Sequence, residues 1–453
     1  MWKLLETTTD YAIRYLNGLE TRSVAPSKEA LAKLVQFDEP LPDEPVEPEK
    51  ILRWLDEVGS PASMAMAGPR FFGFVTGGSL PITLAANWLA GAWDQNCGLY
   101  RITPATALLE QVTLRWLLDV LHLPAECGGA FVTGATVSNF TALAAARHAV
   151  LERVGWDVEA DGLFGAPAVT VVVSEEVHPS VLKALGLLGL GRNRVVKVPV
   201  DSQGRMRPEA IPVLTSPAII CTQVGNVNTG ACDPVGEICQ RAHASSAWVH
   251  VDGAFGLWAA AAPSLANLTA GMESADSWAT DAHKWLNVPY DSGMANERHP
   301  TALRAAMAVT AAYFPTASDH RNPSDYTPEL SRRARGVEVW AALRSLGRSG
   351  LTELIERTCR HASQFAKELK AAGYEILNEV VMNQVLVSFG DAETTHRVIA
   401  QIQADGTCWC GSTVWQGQTA MRISVSSWAT TDADVERSLA AMLQIAKRHC
   451  PTG

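Results

Sequence analysis

Two segments carry residue types that suit one kind of chemistry: His250-Val-Asp252-Gly-Ala254 and, downstream, Asp281-Ala-His-Lys284-Trp285. A lysine amine can capture an aldehyde as a Schiff base. A carboxylate at the end of an apolar run can keep a cationic ring nitrogen protonated, provided that partner is present to offset its burial. The order is apolar run, carboxylate, small residues, long connection, then His-Lys-Trp. It suits an enzyme built on pyridoxal phosphate (PLP), with Asp252 at the pyridinium nitrogen and Lys284 at the aldehyde carbon. Ala254 leaves room for a flat ring near the backbone, and His283 stands where it could meet the phosphate or the ring. Read alone, Asp252 also fits a strand-end residue that caps the next helix.

Two further segments fit the same pocket. In Phe131-Val-Thr133-Gly134-Ala135-Thr136-Val-Ser138-Asn139 a β-like run ends in Thr-Gly and small or hydroxyl residues open a long helix. A helix N-terminus offers free N–H groups and partial positive charge, which suits a phosphate. Gly134 would permit the turn and Thr136 would add a hydroxyl donor, although the segment by itself describes any capped helix after a strand. His178, in Ser174-Glu-Glu-Val-His178-Pro-Ser180, directly follows a branched apolar run. Ligands gather at strand ends in parallel sheets, and an imidazole there can stack on a pyridine ring.

The elements that must position these residues are legible from pattern. Short branched runs at 130–133, 168–173, 195–198, 218–221 and 248–251 alternate with helical patterns such as 139–150 and 181–188. That alternation predicts an α/β fold: a mostly parallel central sheet with helices on both faces. Residues 1–78 read as an N-terminal helical arm interrupted by the acidic, Pro-rich stretch 37–48, and 79–335 as the large cofactor-binding domain. Residues 336–453 read as a small α+β domain, with helices at 337–346, 351–372 and 432–449 and short strands near 385–388 and 420–424.

Composition sets the partners. The 453 residues are 47% hydrophobic and 19% charged, with a formal net charge of −10, so a sizeable core is available. Without any lysine/arginine run, nucleic acid and anionic membrane are excluded as expected partners. The longest apolar stretch, 80–93, is broken by Pro81 and Asn87 and is too short to span a bilayer. The N-terminal residues lack a signal-peptide core. Nine cysteines without paired spacing predict reduced thiols and no metal site. The expectation is a soluble, cytoplasmic protein.

Taken together, the chain resembles the group II PLP-dependent amino acid decarboxylases, which have the aspartate aminotransferase fold (fold type I). The resemblance runs from Pro69-Arg-Phe-Phe-Gly-Phe74 through Gly225-Asn-Val-Asn-Thr-Gly-Ala-Cys-Asp233-Pro to Met421-Arg-Ile-Ser-Val425. It implies that Ala135 and Thr136 bind the phosphate, that His178 stacks on the ring and that Asp252 partners the pyridinium. It further implies that Ala254 lies under the ring, that His283 contacts the phosphate and that Lys284 carries the cofactor. Tyr313, in Ala306-Met-Ala-Val-Thr-Ala-Ala-Tyr313-Phe-Pro, matches a loop tyrosine that returns a proton after CO2 leaves. Arg422 matches an arginine associated with the substrate carboxylate in some members, with a structural salt bridge as the competing reading. Phe74 matches the pocket edge and suggests an apolar or aromatic substrate, whereas Arg101, in a pocket-contributing region, would favour an acidic one. The resemblance also implies a homodimer with active sites at its interface. Two departures stand out: Asp281 occupies a place where many relatives have Asn, and Asn226-Val-Asn228-Thr229 replaces a threonine run.

The expected activity is therefore α-decarboxylation of an L-amino acid to an amine and CO2. Relatives that make aldehydes oxidatively usually change the tyrosine or the stacked histidine, and this chain retains both. A PLP-dependent carbon–carbon lyase of retro-aldol type and a non-catalytic binding protein on the same fold are the alternatives. The first lacks an identifiable base for a β-hydroxyl, and the intact Asp252/Lys284 pair speaks against the second.

Overall fold

A computed structural model describes residues 2–215, 217–309 and 320–449. The chain gathers into two compact units: residues 79–360 with 378–384, and residues 1–78 with 361–377 and 385–453. The first unit is built on seven strands: β1 (Gly128–Val132), β2 (Thr170–Ser174), β3 (Val196–Val198), β4 (Ala218–Gln223), β5 (Trp248–Asp252), β6 (Ser277–Asp281) and β7 (Gly293–Glu297). Their spatial order is β1-β7-β6-β5-β4-β2-β3. Strands β2 to β6 pair in parallel, and β7 runs antiparallel to both β6 and β1. The sheet is thus mostly parallel, and its α/β class is the one expected.

The central strands are near-continuous apolar runs because both faces are covered. Val172, Val173, Ile219, Ile220, Val249 and Val251 are all buried. The Ala135–Glu152 helix has no polar face worth the name, and Leu143, Ala145, Ala146 and Val150 are fully buried. A helix buried over most of its surface belongs inside a core. It shares one hydrophobic cluster with Val171, Val173, Ile219 and Trp248 of the sheet and with Val181 and Leu185 of the Pro179–Leu187 helix. Each large apolar side chain buried this way stabilises the fold by roughly 1.5–3 kcal/mol.

Strands β6 and β7 lie outside the strands expected from sequence. Ser277-Trp-Ala-Thr-Asp281 and Gly293-Met-Ala-Asn-Glu297 mix in residues that pleated surfaces disfavour. Pairing on both sides overrides composition here, and Thr280, Asn296 and Glu297 end up buried. Only residues 282–292 join the two strands, too few for a crossover helix, so β7 returns antiparallel. The result is one sheet edge where several chain segments converge. Asp252 and Asp281 end β5 and β6, and Gly134 and His178 lie just beyond β1 and β2. Gly293 starts β7 opposite both Val132 and Asp281.

The second unit holds a four-stranded sheet, β8 (Glu375–Ile376), β9 (Gln384–Ser388), β10 (Gly411–Trp415) and β11 (Gln418–Ser424), in the order β10-β11-β9-β8. Residues 1–78 belong to this unit through main-chain bonds: Phe72 N–H donates to Trp409 O at 2.8 Å and Val24 N–H to Gly406 O at 2.8 Å. Arg70, 2% exposed, ties the segments further, donating to Glu20 O, Thr407 O and Asp434 Oδ1 at 2.8–2.9 Å. The Gly336–Ala371 helix is interrupted at Gly347 (φ 60°), close to the break between the two expected helices.

Within the first unit, one buried carboxylate carries an ion cluster. Glu110, fully buried on the Pro104–Val120 helix, accepts from Arg332 at 2.7 Å and from Arg321 at 3.0 Å. Arg332 also donates to Phe131 O of β1 at 2.6 Å and to Cys97 O at 3.1 Å. Removing the carboxylate strands a buried guanidinium, which costs more than the pair contributes. Glu110→Ala is expected to destabilise the protein by about 3–5 kcal/mol, with Glu110→Gln losing less; denaturant unfolding monitored by tryptophan fluorescence measures both.

Candidate active site

Asp252 is 4% exposed at the end of β5 and has three hydrogen-bond donors. Ala254 N–H donates to Oδ1 at 3.2 Å, while Asn139 Nδ2 and Ser180 Oγ approach Oδ2 at 3.2 and 3.4 Å. All three donors are neutral, and among the described residues no cation pairs with this carboxylate. A buried carboxylate is normally paired with positive charge.

The donors are themselves oriented by a chain that runs in one direction. Trp248 Nε1–H can only donate, and it donates to Ser277 Oγ at 2.9 Å. Asp252 can only accept, so Asn139 turns Nδ2 toward it and Oδ1 toward His250 Nε2 at 2.8 Å; the ring proton is then on Nε2, and Nδ1 accepts from Ser277 Oγ at 2.9 Å. The amide group of Asn139 therefore has only one consistent orientation, with Nδ2 toward Asp252 and Ser180. Burial pushes His250 down to about 4, against the opposing pull of Asp252, so this ring stays neutral and Asp252 gains no cation from it.

His178 caps the Pro179–Leu187 helix: its Nδ1 accepts from Ser180 N–H at 3.2 Å and sits 2.8 Å from Ser180 Oγ. With Nδ1 accepting, the neutral ring carries its proton on Nε2. The single Ser180 hydroxyl proton faces both the half-buried His178 ring, at 2.8 Å, and Asp252 Oδ2, at 3.4 Å, and serves one acceptor at a time.

At the end of β6, Asp281 is 1% exposed. Its Oδ1 accepts from Ala135 N–H at 2.6 Å, at the N-terminus of the Ala135–Glu152 helix, and its Oδ2 pairs with Lys284 Nζ at 3.0 Å. His283 Nε2 lies 3.5 Å from Oδ1, its Nδ1 accepts from Ser292 N–H at 3.1 Å, and its ring stacks on Tyr290. Burial lowers His283, with Asp281 acting in the opposite sense. Gly134 is required by close approach: a Cβ there would lie 2.9 Å from His283 Cε1. Thr136, half-buried, is the second residue of the helix, and Ala254 O accepts the Asp281 N–H at 2.9 Å.

Ala135, Thr136, His178, Asp252, Ala254, His283 and Lys284 thus occupy one edge of the sheet. Arg101 is exposed in the loop before the Pro104–Val120 helix. Tyr313 lies outside the described residues. In the other unit, Phe74 is 65% exposed and stacks on Trp409, with ring centroids 5.6 Å apart. Arg422 is a half-buried residue of β11 opposite Gly411, and burial lowers its guanidinium.

Sequence reasoning missed Asn139, Ser180, His250 and Ser277. Periodicity contained two of them: Asn139 is one turn after Ala135 on the same helix face, and His250 shares a strand face with Asp252. Nothing local points to Ser277, which depends on β6 pairing with β5.

Comparison with known proteins identifies the family. A family model described as "Pyridoxal-dependent decarboxylase conserved domain" matches residues 31–390. An aromatic-L-amino-acid decarboxylase of Bacillus atrophaeus is 25% identical over 397 residues, covering 85% of this chain and 80% of that protein. An L-2,4-diaminobutyrate decarboxylase of Rhizobium meliloti is 28% identical over 420 residues, covering 87% and 81%. The solved structure of Oryza sativa TDC with PLP and tryptamine superposes with a TM-score of 0.91 at 21% identity, covering 99% of this chain and 98% of that one, which establishes the shared fold. Since the family's domain spans most of its length, this chain belongs to the pyridoxal-dependent decarboxylases, carboxy-lyases that work on amino acids with PLP as cofactor.

Proposed function

We propose that the chain α-decarboxylates an L-amino acid to the corresponding amine and CO2, using the sheet edge described above. The observation that carries this reading is Asp252: a buried carboxylate with three neutral donors and no cation suits a protonated ring nitrogen. The residues present fit PLP in three further respects. Lys284 supplies the amine, the Ala135–Glu152 helix N-terminus with Thr136 and His283 supplies donors for a phosphate, and His178 offers a flat ring at a strand end. When bound, the cofactor supplies an electron sink for the pair left behind as CO2 departs.

The protein's own residues do the rest. Asp252 holds a proton on the ring nitrogen, and the Trp248–Ser277–His250–Asn139 chain keeps its Oδ2 aimed. His178, with its N–H on Nε2, can donate a hydrogen bond toward substrate. Tyr313 is assigned by sequence position as the donor that returns a proton to the carbon that has lost CO2. Arg422 is assigned to the substrate carboxylate, and Phe74 and Arg101 to the surroundings of the substrate side chain. Retention of both His178 and Tyr313 supports release of amine rather than aldehyde.

A homodimer and a cytoplasmic setting complete the proposal. Trp2, Leu5 and Ile13 of the Trp2–Gly18 helix and Trp88, Leu89 and Trp93 of the Pro81–Trp93 helix are exposed, and apolar patches of this kind support association. Among the described residues eight cysteines are free thiols, seven of them buried, which supports a reducing compartment. Among the described residues no helix is long and apolar enough to cross a membrane.

Borohydride reduction of the PLP-loaded protein should leave a pyridoxyl adduct on Lys284, read by peptide mass, and Lys284→Ala should lose both the adduct and the visible absorbance of the bound cofactor. An adduct mapped to another lysine would overturn the assignment. For the reaction, Tyr313→Phe offered a panel of L-amino acids should shift product from amine toward aldehyde, with oxygen consumed and hydrogen peroxide released. An unchanged amine-to-aldehyde ratio would remove Tyr313 from the proton step.

His250 gives a pH test. Its folded value of about 4 lies below the ordinary 6.5, so between these values the unfolded chain binds more protons than the folded one. Stability is therefore full above about pH 6.5 and falls as pH drops toward 4, by about 3 kcal/mol from this residue. His250→Gln, which retains a donor for Asn139, should flatten that arm of the stability–pH curve; an arm of unchanged slope would show that other groups set it.

A further inference from the structure

Asp281 engages both groups that the proposed function reserves for the cofactor. One carboxylate oxygen accepts the Ala135 N–H at 2.6 Å, the donor assigned to the phosphate. The other pairs with the Lys284 amine at 3.0 Å, the group assigned to the aldehyde. Ala135 N–H has one hydrogen, and an amine held against a carboxylate is not positioned to attack a carbonyl carbon. Each partner can serve Asp281 or the cofactor, not both at once.

The main chain cannot move to resolve this conflict. Asp281 N–H donates to Ala254 O at 2.9 Å, and Asp281 O accepts from the buried Trp258 Nε1 at 2.8 Å. Backbone pairing in β6 with Gly293 of β7 fixes it from a third side. The side chain is closed in as well: a Cβ on Gly134 would sit 3.3 Å from Asp281 Oδ1. What remains is rotation of the carboxylate about its own side-chain bonds. A phosphate arriving at the helix N-terminus also meets a like charge within a few ångströms, and like charges at that range are costly in a water-poor site.

We infer that Asp281 competes with the cofactor for its seat, so that PLP loads only when this carboxylate releases Ala135 N–H and Lys284. The inference rests on the proposed assignment of those two groups. It makes Asp281 a determinant of how tightly and how fast this enzyme takes up cofactor. It also gives the residue a second, opposite effect: while the seat is free of cofactor, the carboxylate satisfies a helix N-terminal N–H and the half-buried Lys284 ammonium.

The decisive variant is Asp281→Asn, which keeps the shape and an acceptor for Ala135 N–H but removes the charge. Purified holoenzyme is stripped of cofactor, and wild type and variant are reloaded with PLP while absorbance and tryptophan fluorescence are followed. The variant should bind PLP about tenfold more tightly and load faster, while its stripped form melts at a lower temperature than stripped wild type. Added inorganic phosphate should raise the melting temperature of the stripped variant more than that of stripped wild type. A residue serving only as a structural strut would lower stability and affinity together. Where Asp281→Asn folds poorly, Asp281→Ala tests the same direction of affinity, measured on its folded fraction. Equal or weaker PLP binding by the variant, with the pyridoxyl adduct still on Lys284, overturns the competition and leaves the site assignment standing. An adduct that maps elsewhere overturns both.

Discussion

A carboxylate buried without a cation is the constraint on which the rest of the site depends. Moving an ionised carboxyl out of water costs several kcal/mol even after relaxation. Asp252 recovers part of that from Asn139, Ser180 and the Ala254 N–H, but neutral donors leave its charge unmatched. The surroundings preserve that condition. The nearest ionisable ring, His250, is held neutral by burial, and its only proton is committed to Asn139. Asp252 itself fixes the direction of the whole chain because a carboxylate can only accept, which turns Asn139 Oδ1 toward the His250 Nε2–H. At Asp252 the fold therefore presents an oriented negative charge with which, among the described residues, no cation pairs.

Holding that charge in register is the task of the mixed sheet. Strand ends are better supports than loops because each is pinned by ladder bonds on both sides. Here β5 and β6 place Asp252 and Asp281 directly, while β7 runs back between β6 and β1. The contact between Gly293 and Gly134 is so close that a Cβ on Gly293 would fall 2.5 Å from Gly134 Cα. The antiparallel strand thus presses on the residue preceding the Ala135–Glu152 helix. The position of the helix N-terminus, and of the N–H group it presents, follows from that packing.

The sequence was most readable where function and strand ends coincide. Asp252, Ala135 and His178 follow apolar runs or flank glycine, so pattern alone singled them out as candidates, Lys284 was singled out by its His-Lys-Trp context downstream of Asp252, and the five apolar runs matched strands of the sheet. Strands β6 and β7 were illegible because Thr280, Asn296 and Glu297 are polar, and only pairing with their neighbours makes them strands. The support behind Asp252 was equally hidden. Ser277 joins it only because β6 aligns with β5, with His250 opposite Ser277 in the ladder, and no local signal encodes that register. Phe74 is mostly exposed against Trp409, and Tyr313 falls outside the described residues, so these readings rest on the resemblance rather than on geometry.

The two carboxylates at this edge have the same chemistry and opposite surroundings. Asp281 has a helix N-terminus on one oxygen and a lysine ammonium on the other, so its charge is balanced from within the protein. Asp252 has only neutral donors, so its charge is not. Both are almost fully buried at the ends of adjacent strands, and desolvation is therefore comparable for the two. The difference lies in which one can be satisfied without a ligand. Under the proposed assignment, such a site would draw a cationic ring toward β5 and guard an anion seat beside β6, and the lysine proposed to hold the cofactor is the cation that Asp281 would surrender. On that proposal, binding and retention of the cofactor would follow the balance between these two carboxylates rather than either alone.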